Sequence, residues 1–320
     1  MRNTTLKAFL VFLAIFVIIA LVGWLLSPHW TGGGGGGRIA LIYVEGVISG
    51  GRGGGSLLGG EATASSVAIC DQLYRARDQE SVKAVLIRVN SPGGAAAASD
   101  EIYRAVQALR EAGKPVVISM GDVAASGGYY ISSAADYIFA NGATLTGSIG
   151  VIFNLLNWEE AAAKLGVKDV TLTAGEYKDV GSPWREMTGE EQALLEELMT
   201  EVHGQFISAV AEGRENMTEE AVREVATGMV FTGERALALG LVDEVGGLHA
   251  AEEKARELAG VGDEVPVEEY CERSFLDEIM SIRSGRGTGV DWLGGLGSDP
   301  LAKLARMLYL NTTLRDLVAR

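Results

Sequence analysis

The stretch KPVVISM (residues 114–120), followed directly by GDVAASGGYYISSAADY (residues 121–137), decides the fold class of this chain. Its first part is apolar and β-branched, which predicts a buried strand, and residues 126–135 predict a helix. The turn between them, ASGG (residues 125–128), has the position at which open α/β sheets bind their ligands. The stretch therefore predicts a strand-to-helix unit of an α/β sheet.

The same alternation of strands and helices continues on both sides of this stretch. Apolar, β-branched runs predict further strands at residues 38–48, 83–90 and 137–140, and a short strand near 170–173. Helices are predicted at residues 61–79, 99–112, 188–212, 218–226, 233–240 and 248–259. Strands separated by helices of this length indicate βαβ-type units, so we predict an α/β protein with a largely parallel sheet.

The composition excludes several classes of function. The 320 residues include 27 basic and 42 acidic side chains, and the net charge of −15 argues against non-specific nucleic-acid binding, which requires positive charge facing phosphates. Two cysteines and three histidines occur, and the cysteines, Cys70 and Cys271, are not in a metal-ligand spacing. No metal and no other cofactor is implied.

The segment AFLVFLAIFVIIALVGWLL (residues 8–26) predicts an N-terminal transmembrane anchor, because it carries no charge and would span about 28 Å as a helix. The alternative is a cleaved signal peptide, whose apolar region is usually about 7–15 residues long and ends at an A-x-A site. This segment is longer and ends in LLSP, which favours an uncleaved anchor. Arg2 and Lys7 precede it, so we expect a cytoplasmic N-terminus and an extracytoplasmic remainder.

Ser126 is the candidate nucleophile, because it lies in a strand-to-helix turn whose small neighbours leave room for a substrate. Taken alone, a serine at this position is more often a helix N-cap. The turn is not a G-x-S-x-G elbow either, since Ala124 replaces the first glycine. A second loop, RVNSPGG (residues 88–94), could supply amides for an oxyanion hole, or it could be an ordinary turn.

A serine nucleophile needs a base, and the three histidines are poorly placed for that role. Lys178, in AGEYKDVGSPW (residues 174–184), is the alternative. A lysine base must be neutral, which requires desolvation because a free lysine has a pKa of about 10.4. Glu176 and Asp179 flank Lys178 and would favour its charged form, so both carboxylates must point away from it.

Five motifs, in this order, resemble those of signal peptide peptidase A of the short, single-repeat type. They are RVNSPGG, GDVAASGGYY, LTGSIGVI (residues 145–152), AGEYKDVGSP and FTGERALALGLVDEVGG (residues 231–247). The resemblance covers roughly residues 38–250 and implies a ClpP/crotonase-like α/β fold with repeated ββα and βαβ units. It also implies that Ser126 is the nucleophile, Lys178 the general base and Ser148 the hydroxyl that orients the lysine. By the same resemblance, the Gly93 and Gly127 amides form the oxyanion hole.

The function implied by this resemblance is cofactor-free hydrolysis of apolar peptides, such as signal-peptide remnants, through an acyl-enzyme formed in a homo-oligomeric ring or dome. The predicted organisation is an anchor (residues 1–30), a glycine linker (31–37), a peptidase domain (38–260) and an extension (261–320). The extension combines a glycine-rich linker with an amphipathic helix candidate at 301–318. Two alternatives stay open, an acyl-CoA enzyme on the crotonase fold and a catalytically silent membrane scaffold.

Overall fold

The computed structural model describes residues 37–51 and 63–270. The predicted anchor, the glycine linker up to residue 36 and the amphipathic helix candidate at 301–318 lie outside the described residues. Within those two ranges, none of the helices has the length and apolar character needed to cross a bilayer.

A largely parallel sheet forms the centre of the described chain, as the sequence predicts. Its path runs β10–β1–β4–β5–β6–β9, with parallel pairing throughout, while β7 pairs in parallel with β5 and antiparallel with β8. A separate two-stranded parallel sheet joins β2 and β3. The strands are β1 (Arg38–Glu45), β2 (Val47–Ser49), β3 (Thr63–Ser65), β4 (Val82–Ser91), β5 (Val116–Ala125), β6 (Tyr137–Ala140), β7 (Leu145–Gly147), β8 (Val230–Thr232), β9 (Glu244–Val245) and β10 (Val267–Glu269).

Helices cover both faces of the sheet and divide the core in two. The larger core joins one face to α1, α2, α3, α5 and α6, and the smaller one lies between the other face and α8. The described helices are α1 (Ser66–Asp78), α2 (Ala96–Glu111), α3 (Gly127–Ser133), α4 (Glu159–Leu165), α5 (Gly189–Gly213), α6 (Glu219–Val225), α7 (Gly233–Ala238) and α8 (Leu248–Ala259). This arrangement of parallel strands and covering helices is a mixed α/β fold.

The structure corrects three details of the predicted elements. The strand predicted near 170–173 is wrong: these residues form no strand, and Val170 and Leu172 are 82% and 93% exposed, so their apolar pattern has no sheet partner. Helix α4 and the short strands β3, β7, β8, β9 and β10 were not predicted, because segments this short carry little periodicity, and β3 replaces the first residues of the helix expected at 61–79. The single strand expected at 38–48 divides at Gly46, which has a φ of +79°.

The sheet continues beyond residue 260, where the predicted peptidase domain ends. Strand β10 pairs in parallel with β1, with Ile39 opposite Val267. The Tyr270 N–H then donates to the carbonyl of Leu41 at 2.8 Å. Residues up to 270 therefore belong to the same folded unit as the rest of the sheet.

Candidate active site

The candidate active site lies where β4, β5 and β7 end at the carboxyl edge of the sheet. In the parallel pairing of β5 with β7, Ala125 lies opposite Gly147. Ser126 and Ser148 are the next residues on the two strands, and the Ser126 N–H donates to the Gly147 carbonyl at 2.8 Å. Because neighbouring strands are about 4.8 Å apart, this register places the predicted nucleophile beside the predicted lysine-orienting serine.

Both serines have a strained backbone. In the described residues they are the non-glycine residues with positive φ, 52° for Ser126 and 51° for Ser148. This conformation costs a non-glycine residue of order 1–3 kcal/mol and persists only when the surrounding structure imposes it. Here the constraint comes from the β5–β7 pairing and from the Ser148 N–H, which donates to the Met229 carbonyl at 2.8 Å. Strain of this kind concentrates at active sites, which supports functional roles for both residues.

The Ser126 side chain is half-buried and has no hydrogen-bond partner among the described residues. It precedes α3 but does not cap it, so capping gives no account of this serine. Its hydroxyl is therefore available to a base and to a substrate carbonyl.

Glycines allow the loop after β4 to contact the nucleophile directly. Gly93 has a φ of +100°, and a Cβ there would lie 2.7 Å from the Gly127 nitrogen and 2.8 Å from Ser126 Cβ. A Cβ on Gly127 would collide with Ser99 Oγ and would lie 3.2 Å from the Gly94 nitrogen. The loop containing Gly93 and Gly94 and the first turn of α3 are thus packed at main-chain contact distance.

The amides of this region differ in whether they are free. The Gly93 N–H donates to Ser91 Oγ at 3.1 Å. The neighbouring Gly94 lies opposite Ile48 in an isolated parallel bridge. In this bridge the Ile48 N–H donates to the Gly93 carbonyl and the Ala95 N–H donates to the Ile48 carbonyl, both at 2.9 Å, so the Gly94 N–H is not used. The N–H groups of Gly94 and Gly127 have no hydrogen-bond partner among the described residues. The role of Gly93 as an oxyanion donor stays a prediction, and Gly94 is a competing donor that the sequence analysis missed.

Lys178 lies on a segment that we call the arm, residues 151–187, which connects the end of the sheet to α5. The Lys178 side chain is exposed and has no hydrogen bond or ion pair within the described chain, so the structure does not join it to Ser126 or Ser148. In the described residues, the hydrogen bonds of the arm run within it or to Glu190 and Glu191. The predicted general base is therefore carried by a part of the chain distinct from the sheet that positions Ser126.

The fold and the position of Ser126 fit a class of protein, the serine hydrolases with a ClpP-like α/β domain, and comparisons with known proteins agree. A model described as "Clp protease" matches residues 57–142, and one described as "Peptidase family S49" matches residues 108–262. "Putative protease MJ0651" of Methanocaldococcus jannaschii is 36% identical over 88% of this chain and 94% of its own length. The chain therefore belongs to peptidase family S49, which places it among the serine endopeptidases.

Two further relatives match this chain over only part of their own length. "Putative signal peptide peptidase SppA" of Enterococcus faecium is 38% identical over 65% of this chain and 60% of its own length. "Protease 4" of Haemophilus influenzae is 34% identical over 87% of this chain, but the match spans 45% of the Haemophilus protein. The chain thus covers less than half of that longer relative.

Replacing Ser148 tests whether its hydroxyl orients the base. We expect Ser148→Ala to lower kcat/KM for a peptide substrate by up to about tenfold, the effect of one lost supporting hydrogen bond. Ser148→Gly is the matched control, since glycine accepts the positive φ without strain. Equal losses in both variants would identify the hydroxyl as the cause. Unchanged steady-state kinetics in both would exclude the orienting role.

Proposed function

We propose that this protein is a membrane-anchored endopeptidase that hydrolyses apolar peptides with a dyad of Ser126 and Lys178. The observation that carries the proposal is Ser126 itself, whose backbone is strained and whose hydroxyl has no hydrogen-bond partner in the described residues. It lies next to the Gly94 and Gly127 amides, which are likewise unbonded in that part of the chain. Neutral Lys178 accepts the Ser126 proton while Oγ attacks the peptide carbonyl, and the amides of Gly127 and of Gly93 or Gly94 bind the resulting oxyanion. Collapse of this intermediate releases the amine, which takes the proton from Lys178 and leaves an acyl-enzyme.

Deacylation repeats these steps with water as the nucleophile. Lys178 removes a proton from water, the hydroxide attacks the ester carbonyl, and Ser126 leaves with the proton returned by Lys178. No step requires a cofactor. The acyl-CoA enzyme and the silent scaffold remain the alternatives, and neither would hydrolyse an unactivated peptide bond.

We also propose that the protein assembles with further copies of itself through the arm. The arm exposes large apolar side chains to an extent unusual for a soluble surface, with Ile152 at 85% and Leu172 at 93%. Others on the same segment are Phe153, Leu156, Trp158, Leu165 and Val170, each at least half exposed. A second copy would cover this surface and bring a neighbour's Ser126 to Lys178, because one chain alone does not pair them.

Mixing two inactive variants tests both the dyad and its assembly. Ser126→Ala and Lys178→Arg are each expected to be inactive in peptide hydrolysis. If Lys178 serves the Ser126 of a neighbour, co-assembly in equal amounts should restore about a quarter of the sites, since half of the serines and half of the neighbouring lysines are intact. Substantial activity in either variant alone would overturn the dyad. An inactive mixture of co-assembled variants would overturn the intersubunit arrangement and leave the dyad in place.

The anchor at residues 8–26 suggests where the substrate is found. With the N-terminus in the cytoplasm, the catalytic domain would face the outer side of the membrane, where apolar remnants of signal peptides are accessible. The Enterococcus relative is named as a signal peptide peptidase, which supports this class of substrate. Protease added outside intact spheroplasts should digest the catalytic domain, whereas full protection would reverse the proposed orientation.

A further inference from the structure

The turn that carries Lys178 is bonded to the start of α5 on one side of the lysine and to Arg185 on the other. On one side, Tyr177 Oη donates to Glu190 Oε1 at 2.8 Å. On the other, Arg185 Nε donates to Asp179 Oδ2 at 2.9 Å, and Arg185 Nη2 donates to the Asp179 carbonyl at 3.3 Å. The main chain next to Lys178 is therefore fixed by its neighbours while the lysine side chain makes no such contact in the described chain.

Arg185 is itself held by a buried carboxylate. Its two terminal nitrogens donate to the two oxygens of Glu191, with Nη1 to Oε2 at 2.8 Å, in the bidentate geometry that a guanidinium favours. Glu191 is 5% exposed and also accepts from the Thr188 N–H at 2.9 Å, which completes the capping box of α5. Arg185 thus joins the Lys178 turn to the folded end of a long helix.

The charges in this cluster do not change over the pH range in which a lysine base works. The hydrogen bonds from Arg185 lower the pKa of Glu191 to about 2 and also lower the pKa of Asp179. A carboxylate with a lowered pKa is ionised above its unfolded value of about 4, and its stabilising effect is lost only as the pH falls through its folded pKa. Both carboxylates are therefore charged at neutral and alkaline pH.

The constant negative charge of Asp179 matters because a carboxylate next to a lysine stabilises the charged ammonium form of that lysine. The proposed base must instead be neutral. The Asp179 carboxylate is adjacent to Lys178 in the chain, yet the structure directs it to Arg185. The charged groups between the turn and the helix start, and of the strand before the nucleophile, are Glu176, Asp179, Arg185, Glu186, Glu190, Glu191 and Asp122. Glu159, Lys168 and Asp169 line the same cavity as Asp179 and Arg185. Among them, Asp179 is the acid immediately next to the lysine, and its partner is a guanidinium.

We propose that Arg185 is a positioning residue for the base: its guanidinium, itself bonded to Glu191 of α5, holds the Asp179 carboxylate and so prevents it from pairing with Lys178. The inference rests on the proposed role of Lys178 as the base. It predicts that the Asp179 carboxylate lowers kcat/KM when Arg185 is removed and has almost no effect on kcat/KM when Arg185 is present.

The test is the pH profile of kcat/KM in the full-length protein. We expect Arg185→Gln to lower kcat/KM at neutral pH by about 10-fold and to move the alkaline limb upward by about one pH unit, the effect of an opposite charge next to a titrating group. Adding Asp179→Asn to this variant should return the limb to its wild-type position. Glu160→Gln is the matched control, because it removes an exposed pair, Lys164 Nζ to Glu160 Oε2 at 3.4 Å, from the same arm without touching the cluster.

Two results would overturn the inference, and neither depends on how well the variants fold. One is an alkaline limb of the pH profile that keeps its wild-type position in Arg185→Gln while kcat/KM falls, because a purely structural role of Arg185 would lower activity without moving the limb. The other is a double variant whose limb remains displaced although the Asp179 carboxylate is gone. Failure of the proposed function is distinguishable, because Lys178→Arg would then keep its activity whatever the behaviour of Arg185→Gln.

Discussion

Lys178→Arg is expected to lower kcat/KM for peptide hydrolysis by at least about 10²-fold, the lower end of what a positioned general base contributes. Arginine keeps the positive charge and much of the length of lysine, but its guanidinium cannot lose a proton at any usable pH. A salt bridge or a packing contact made by Lys178 would survive the change, whereas a proton acceptor would not. The loss should appear in kcat rather than in KM, because the substrate-binding surface is unaltered.

The matched control is Lys168→Arg, which makes the same substitution at another lysine of the arm. It should have wild-type kinetics, and both variants should unfold at the same temperature as the wild type. Wild-type kinetics in Lys178→Arg would contradict the role of Lys178 as the base, and another group would have to activate Ser126.

Gly93→Ala is expected to have an effect of similar size for a different reason. The added methyl group would lie 2.7 Å from the Gly127 nitrogen and 2.8 Å from Ser126 Cβ, at a φ of +100°. To avoid this clash, either the loop after β4 or the start of α3 must move, and both carry groups proposed to contact the substrate carbonyl. We therefore expect at least about a 10²-fold loss of kcat, the typical loss when an oxyanion-hole donor is removed.

Gly113→Ala separates the steric clash of an added Cβ from the conformational strain of alanine at a positive φ. Gly113 also has a positive φ, +74°, but a Cβ there would meet nothing within 4 Å. It should cost about 1 kcal/mol of stability and leave kinetics unchanged. Equal stability and equal activity in the two alanine variants would mean that the contact between Gly93 and Ser126 is not needed for catalysis.

Much of the fold could be predicted from the sequence because long apolar runs and helix caps are local signals. Residues 116–120 of the run predicted at 114–120 lie in β5, and Thr188 begins a capping box with Glu191 at the predicted start of α5. The arm was the least predictable part of the chain. Its apolar residues at 170–173 have the pattern of a strand, but no strand of the described sheet pairs with them. Local pattern cannot show whether a partner exists.

The candidate site was predictable to the extent that it lies in short motifs. Ser126 and Gly93 lie in turns that the sequence marks by glycine and proline, Gly127 begins the helix after Ser126, and the strands bring these segments together. The free amide of Gly94 was not predictable, because it depends on which neighbouring N–H is already used by Ser91 Oγ. The sequence does indicate that Asp179 must point away from a lysine base, but it does not identify Arg185 as the group that holds it.

Ser126 is proposed to form an acyl-enzyme, and trapping that intermediate is the decisive experiment. A short peptide ester with a good leaving group should acylate the enzyme faster than water removes the acyl group, because its alcohol needs no protonation to depart. Acid quenching during turnover, followed by mass spectrometry of the intact protein and its fragments, should show one acyl group, located on Ser126 and absent from Ser126→Ala. An acyl group on another residue, or continued peptide hydrolysis by Ser126→Ala, would contradict the account.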